Sequence, residues 1–237
     1  MQLSSLETMF AAFITEAHRL KTKYADRIHI LVGLETEYIT PIDLDRLKIL
    51  LDQHGSRIQY LVGSVHHVNQ IPIDLDEETY SKALGSFSTG PLSNTTPMLE
   101  PGQQQMESYL CSYFDAQYEL FRQFTPEIIG HMDLCRLYNP TLRLADYPHA
   151  FEKLQRNVAF ATQYGALFEF NAAALRKGWV DAYPGEEVVK VRSIHTQISE
   201  NLISHYIQGY PKVQRKIHAL GRQPWSPCRG AELRFDG

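Results

Sequence analysis

The chain has 237 residues, 43% of them hydrophobic and 21% charged, which is typical of an ordinary globular protein with one sizeable core. Its formal net charge of -4 gives no electrostatic basis for binding nucleic acid or an anionic membrane, since both call for clustered Lys and Arg. No apolar run approaches the roughly 20 residues that cross a bilayer.

Localisation signals and cysteines favour a cytoplasmic protein. The first residues, MQLSSLETMFAAF, have no basic region followed by an apolar one, so we expect no signal peptide. The cysteines Cys111, Cys135 and Cys228 are too few and too scattered for a disulfide framework or a Cys-rich zinc site. We expect them to be reduced thiols.

Apolar periodicity predicts helices that alternate with short buried strands along most of the chain. In chain order, the predicted elements are a helix from Leu6 to Leu20, a strand at 28–34, a helix at 42–54, a strand at 58–62, a helix at 77–84, a helix at 106–121, a strand at 127–130, a helix at 150–163 and a strand at 166–170. Such alternation favours a parallel sheet with crossover helices. Residues 85–103 are rich in Gly, Ser, Thr and Pro and are predicted to form a surface loop. Residues 194–207 are compatible with a helix, and the chain beyond them has no clear period.

Each predicted strand ends in ionisable or amide side chains. In strand order, these are Glu35 and Glu37, His66 and His67, His131 and Asp133, and Glu169 and Asn171. Ligands and catalytic groups gather at the carboxyl ends of strands in parallel α/β folds. The four strand ends therefore predict one shared site.

The residue types at this site favour a transition metal. Imidazole and carboxylate groups without thiolate suit zinc, manganese or iron, and a metal held in this way activates water and neutralises phosphate oxygens. Glu35 and Glu37 alternate along a strand, and we expect one to face inward and the other outward, with Glu35 at the site. Arg176, just past the fourth strand, is a candidate for gripping a phosphate group.

Each of these residues also has a purely structural interpretation. A single His at a strand end is more often a hydrogen-bonded structural residue. Asp133 could cap or pair with a neighbour, and Arg176 on a loop would ordinarily be a solvated charge. Serine catalysis is not favoured, because no Gly-x-Ser-x-Gly sequence is present and Ser64 lacks the strand-to-helix turn. The aromatic residues at 109–121 are predicted to be core.

Several segments resemble fungal phosphatases of the polymerase-and-histidinol-phosphatase (PHP) family. They are GLETEY (33–38), GSVHHVNQIPIDLD (63–76), GHMDLCRLY (130–138) and LFEFNAAALRKGWVDAYP (167–184). The resemblance runs from about Leu6 to Lys190. It implies an α/β fold, namely an incomplete, distorted (β/α)7 TIM-like barrel, with a multi-metal centre at its mouth. The implied reaction is the hydrolysis of L-histidinol phosphate to L-histidinol and phosphate in L-histidine biosynthesis.

The resemblance also implies roles for individual residues. Glu35 matches a metal-bridging carboxylate, and His66 and His131 match metal-binding imidazoles, so these three are the expected metal and catalytic residues. Arg176 matches a phosphate-binding arginine. The resemblance further implies that His67 and Asn69 line the substrate pocket.

The sequence departs from the family at both ends. Family members begin with a His-x-His strand and carry an Asp-x-His motif near the end of the barrel; no His-x-His sequence is found here, and no Asp-x-His sequence follows Glu169. We therefore interpret residues 1–190 as a partial PHP-type domain and residues 191–237 as an atypical C-terminal segment. Three interpretations remain: a metal-dependent phosphomonoesterase, a catalytically impaired relative that keeps part of the metal site, and an unrelated α/β binding module.

Overall fold

The computed structural model describes residues 3–87, 100–176, 178 and 183–193, all of which belong to one compact unit. Its helices are α1 (Leu3–Lys23), α2 (Pro41–His54), α3 (Glu77–Gly85), α4 (Pro101–Phe124), α5 (Pro148–Gln163) and α6 (Ala173–Arg176), with a further helical segment at 186–193. Its strands are β1 (Gly33–Glu37), β2 (Tyr60–Ser64), β3 (His67–Val68), β4 (Ile71–Pro72), β5 (Ile128–Ile129) and β6 (Leu167–Phe168). Short 3₁₀ turns lie at Gly55–Arg57, Leu134–Arg136 and Leu144–Asp146.

Four strands form a parallel sheet in the order β1-β2-β5-β6, which confirms the predicted parallel α/β arrangement. Helices connect these strands, as parallel neighbours require. Within the part of the chain that the structure describes, the sheet is open, with β1 and β6 at its edges. The closed form of the expected (β/α)7 barrel is therefore not seen in these residues.

The first strand lies later in the sequence than predicted. The apolar run at 28–34 predicted a strand, but the ladder with β2 begins only at Gly33 and continues to Glu37. Ile28 and Leu31 are exposed, so their apolar character does not reflect a buried strand. A Cβ at Gly33 would collide with the ring of Tyr60, so glycine allows this pairing to start. The shift places Glu35 and Glu37 within the strand.

The core lies between the sheet and the helices α4 and α5. Helix α4 buries side chains at three- and four-residue spacing, including Tyr109, Tyr113, Phe114 and Phe121, each of which is fully buried. This confirms the core position of these four aromatic residues, whereas Tyr118 is only partly buried and packs against Phe160 and Arg156. Helix α5 contributes Leu154 and Val158 to the same cluster.

Helix α1 buries less of its apolar stripe than its periodicity predicted. Ile14 is fully buried, but Leu6, Met9 and Phe13 are exposed. Phe10 makes an edge contact with the ring of His54 at the end of α2. The helical period thus predicted α1 correctly. It did not predict how much of the apolar face of α1 the described residues cover.

A tight hairpin follows β2 and was not predicted. Strands β3 and β4 pair antiparallel, and Asn69 and Gln70 between them both have positive φ, at 49° and 65°. Two such residues are typical of a type I′ turn, which matches the twist of the flanking strands. The hairpin carries His67 beside the end of β1.

Some predictions fall on residues that the structure does not describe. These include most of the 85–103 loop, the helix predicted at 194–207, nearly all of the 191–237 segment, and Cys228. Cys111 and Cys135 are both free thiols. None of the described helices is both long and apolar enough to cross a membrane.

Candidate metal centre

Three predicted site residues meet at the carboxyl ends of the parallel strands. Glu35 lies in β1, His66 follows β2 by two residues, and His131 follows β5 by two residues. The Nε2 atoms of His66 and His131 are 3.1 Å apart, and Oε1 of Glu35 lies 3.8 Å and 3.5 Å from them respectively. The structure therefore brings together residues that are distant in sequence.

Sheet register explains why these side chains converge. Glu35 pairs with Val62 in the parallel ladder, while Gly63 pairs with Ile129 on the other side of β2. The segments that follow β2 and β5 therefore begin next to each other, at the carboxyl ends of these two strands. Gly130 lies against Ser64, where a Cβ would overlap the serine hydroxyl.

Glu35 is held as an ionised carboxylate. Contact with His131 is the main reason that the pKa of Glu35 is lowered to about 2; burial opposes this effect, and a hydrogen bond from Ser64 adds to it. The Ser64 hydroxyl donates to Oε1 of Glu35 at 2.7 Å. A carboxylate that is already charged can bind a cation without first losing a proton.

His66 lies between two carboxylates. Its Nε2 faces Glu35, and its Nδ1 is 3.7 Å from Oε1 of Glu37. Burial acts to lower the pKa of His66, but contact with Glu37 and the charges of Glu37, Asp74 and Glu35 together raise it. Burial likewise acts to raise the pKa of Glu37, but His66 and His67 hold it below its usual value.

The position of Glu37 corrects the expectation that Glu35 and Glu37 face opposite ways. Successive side chains alternate across a strand, so residues two positions apart share a face. Both glutamates accordingly point at the histidines, and Glu37 also contacts Nδ1 of His67. The residue between them, Thr36, is buried and donates to the backbone of Val62.

His131 is positioned through its backbone. Its amide donates to Oε2 of Glu169 at 3.0 Å, and the other oxygen of Glu169 accepts from Asn171 at 3.2 Å. The Nδ1 atom of His131 is buried and has no hydrogen-bond partner among the described residues. The fourth strand end thus contributes to the site by fixing the backbone that carries His131.

The three donor atoms fit a divalent transition metal. The ligand atoms of Glu35, His66 and His131 all lie within 4.8 Å of one another, and their separations are 3.1, 3.5 and 3.8 Å. A tetrahedral ion about 2.0–2.1 Å from each ligand would hold neighbouring donors about 3.3 Å apart. One carboxylate and two imidazoles are ligands for zinc, manganese or iron.

Two of the three residues predicted to bind substrate line one cavity. His67 and Asn69 both line a cavity of about 340 Å³ that also includes Tyr38, Asp115 and Glu119. Asn69 has a turn-forming role as well, and its side-chain amide donates to Ser86 at 2.8 Å. Arg176 is exposed at the end of α6.

Asp133 does not belong to the group, although it follows His131 closely. It is fully buried, and its Oδ2 accepts from Nε of Arg136 at 3.1 Å and from the amide of Gly185 at 2.9 Å. This confirms the alternative in which Asp133 pairs with a neighbour. The pair anchors the turn after His131 to a segment 52 residues later in the chain.

Three residues have roles at the site that the sequence did not assign, although Glu169 was among the strand-end residues expected there. Ser64 orients Glu35, Glu37 faces His66, and Glu169 fixes the backbone of His131. The two-residue period of a strand was a sufficient signal for Glu37. No sequence signal identifies the hydrogen bonds of Ser64 and Glu169, because these depend on the register between strands.

Together, the fold and the site define a parallel α/β domain with a candidate divalent-metal centre at the carboxyl edge of its sheet. Residues 6–173 match the PHP domain family, and the chain belongs to that family.

Curated proteins support the same relationship. The chain is 38% identical over 194 residues to a probable histidinol-phosphatase of Schizosaccharomyces pombe, an alignment that covers 81% of this chain and 58% of the relative. It is 29% identical over 219 residues to the histidinol-phosphatase of Saccharomyces cerevisiae, with coverage of 81% and 61%. The chain thus spans about three fifths of the length of these relatives.

Proposed function

We propose that the chain functions as a metal-dependent phosphomonoesterase that hydrolyses L-histidinol phosphate to L-histidinol and phosphate in L-histidine biosynthesis. The observation that carries this proposal is the convergence of Glu35, His66 and His131 in a chain of the PHP family. The names of the two fungal relatives support the choice of substrate.

The proposed cofactor is a zinc, manganese or iron ion held by these three side chains. When bound, such an ion acidifies water and stabilises negative charge on phosphoryl oxygens. Glu35 contributes a fixed negative charge to the ion, and the Ser64 hydroxyl keeps that carboxylate oriented. Glu169 holds the backbone of His131 so that the imidazole stays at the edge of the sheet.

The substrate is proposed to bind through Arg176, His67 and Asn69. Arg176 offers a guanidinium group, which suits a phosphate through paired hydrogen bonds. His67 and Asn69 line the 340 Å³ cavity, whose size lies within the range of small-molecule sites.

A catalytically impaired relative is the second candidate. One group of three metal-ligating side chains is found among the described residues, whereas the family resemblance implies a multi-metal centre. A centre with a single ion would bind phosphate but would stabilise a phosphoryl transition state less well.

Phosphate release separates these two candidates. We expect the chain to release phosphate from L-histidinol phosphate when manganese or zinc is added, and Glu35→Gln to abolish this release. The variant Glu16→Gln is a control, because Glu16 is an exposed partner of Arg19 on α1. Metal binding without phosphate release would favour the impaired relative, and release that persists in Glu35→Gln would contradict the proposed site.

A further inference from the structure

We propose that Glu37 is a positioning residue, which fixes the orientation and the tautomer of His66 so that Nε2 faces the metal centre. This inference rests on the proposed metal centre and adds a residue to which neither the sequence analysis nor the family resemblance assigned a role. It makes Glu37 a partner of a ligand and not a ligand itself.

The two glutamates of β1 contact opposite sides of one imidazole ring. Oε1 of Glu35 is 3.8 Å from Nε2 of His66, and Oε1 of Glu37 is 3.7 Å from Nδ1. Glu35 and Glu37 are two residues apart in a strand, so they share a face and are separated by about 7 Å along the backbone. At this spacing, Glu35 faces Nε2 of the His66 ring and Glu37 faces Nδ1.

The chemistry of imidazole explains why this arrangement matters. A neutral histidine carries one proton, and it can bind a cation through Nε2 only when that proton is on Nδ1. A carboxylate beside Nδ1 favours the protonated form of that nitrogen and raises the basicity of the other. Glu37 is placed to have this effect on His66.

Glu37 is itself held in place. Its Oε1 also contacts Nδ1 of His67, and its side chain is 29% exposed, about half the 55% exposure of Glu35. The less exposed carboxylate is thus shared between two adjacent histidines, while the more exposed one faces the metal-binding nitrogens. His131 differs, since its Nδ1 has no hydrogen-bond partner among the residues that the structure describes.

Zinc affinity and stoichiometry test the proposal directly. Titration of the full chain with Zn²⁺, in competition with a chromophoric chelator, is expected to give an affinity about 10- to 100-fold weaker in Glu37→Ala than in the unmodified chain. Glu37→Gln, which keeps a hydrogen-bond acceptor, is expected to lie between the two. The number of bound ions should not change, because Glu37 is not a ligand.

Nitrogen-15 NMR of the metal-free chain gives a second readout that a merely structural role would not move. His66 is expected to be predominantly in the Nδ1–H tautomer in the unmodified chain. In Glu37→Ala, the Nε2–H tautomer should gain population.

The matched control is Glu78→Ala, which removes an exposed carboxylate that pairs with Lys82 on α3. It should leave both zinc affinity and the His66 tautomer unchanged. If Glu37→Ala fails to fold, as judged by its thermal unfolding, Glu37→Gln still tests the proposal through the same two measurements.

Two results would overturn the proposal. One is a folded Glu37 variant whose zinc affinity stays within about twofold of the unmodified chain and whose His66 tautomer is unchanged. The other is the loss of one bound ion per chain, which would make Glu37 a ligand. An unmodified chain that binds no zinc would instead contradict the metal centre and the proposed function.

Discussion

The Nε2 atoms of His66 and His131 lie 3.1 Å apart, although the two residues are separated by 65 positions in the sequence. Their rings meet at an angle of 62°, with centroids 4.7 Å apart. Two unprotonated nitrogens at this distance would repel each other, since each presents a lone pair. A shared cation removes the repulsion, and so does a proton on one of the two nitrogens. The relationship explains why metal binding and the protonation of these histidines should compete.

Gly130 is expected to be intolerant of a side chain because it lies against Ser64. In Gly130→Ala, the new Cβ would displace the hydroxyl that donates to Glu35, and overpacking of this kind costs about 1–3 kcal/mol. Zinc affinity should also fall, by roughly tenfold, because the carboxylate loses an orienting partner. Chemical denaturation and zinc titration measure the two effects.

Gly85→Ala is the matched control for that substitution. Apart from the adjacent residues and the backbone of α3 itself, no atom of the described residues lies within 4 Å of the position that a Cβ would take at Gly85 at the end of α3. Its free energy of unfolding should change by less than about 1 kcal/mol, with zinc affinity unaffected. Equal behaviour of the two alanine variants would show that close packing at Gly130 is unimportant.

Asp133→Ala should be among the most destabilising single substitutions in the described part of the chain. It removes a carboxylate with a 1% exposed side chain that accepts from Arg136 and from the amide of Gly185. Removing one partner of a buried ion pair typically lowers the free energy of unfolding by about 3–5 kcal/mol, because the charge of the other partner is no longer neutralised by it. Urea denaturation measures this cost.

The double variant Asp133→Ala, Arg136→Met gives the corresponding control. It removes both charges of the pair, so part of the lost stability should return. If the double variant is less stable than the single variant by the full cost of a second independent substitution, the pairing does not account for the loss.

Alkaline pH should destabilise the fold through buried tyrosines. Burial is the main reason that the pKa values of Tyr80, Tyr109 and Tyr113 are raised above 10, their usual value. A raised pKa contributes stability that is fully present below the unfolded pKa and is lost as pH rises above it. Each of these tyrosines should therefore lower the free energy of unfolding by about 1.4 kcal/mol per pH unit above roughly pH 10.

Denaturation at a series of pH values between 8 and 11 checks this expectation. Above pH 10, Tyr80→Phe should make the free energy of unfolding fall less steeply with pH, by the contribution of one tyrosine. Below pH 9, the free energy of unfolding of the variant should run parallel to that of the unmodified chain. A free energy of unfolding that stays constant up to pH 11 would contradict the role assigned to burial.

Much of the fold and the main site residues could be predicted because both follow local rules. Apolar periodicity identified α4 and α5, and the convergence of strand ends in a parallel sheet grouped the polar strand-end residues into one expected site. The family resemblance then selected Glu35, His66 and His131 among them as the metal residues. The orientation of Glu37 was predicted wrongly, although residues two positions apart in a strand share a face. The spacing of Glu35 and Glu37 in the sequence was therefore sufficient to place them on the same side.

Other features depend on contacts that no local pattern encodes. The bond between Asp133 and Gly185 joins segments 52 residues apart, and the contact between Ser64 and Glu35 exists only because β1 and β2 adopt one register. The exposed apolar residues of α1 illustrate the same limit, since a helical period shows which face is apolar and not what covers it.

Direct titration with zinc is the most decisive test of the central claim that Glu35, His66 and His131 bind one cation together. We predict that the unmodified chain binds zinc at this group, and that Glu35→Gln, His66→Gln and His131→Gln each weaken binding by at least about 100-fold. His54→Gln is the matched control, because His54 lies at the end of α2 against Phe10. Absence of zinc binding by the unmodified chain, or equal affinity in all four variants, would contradict the account.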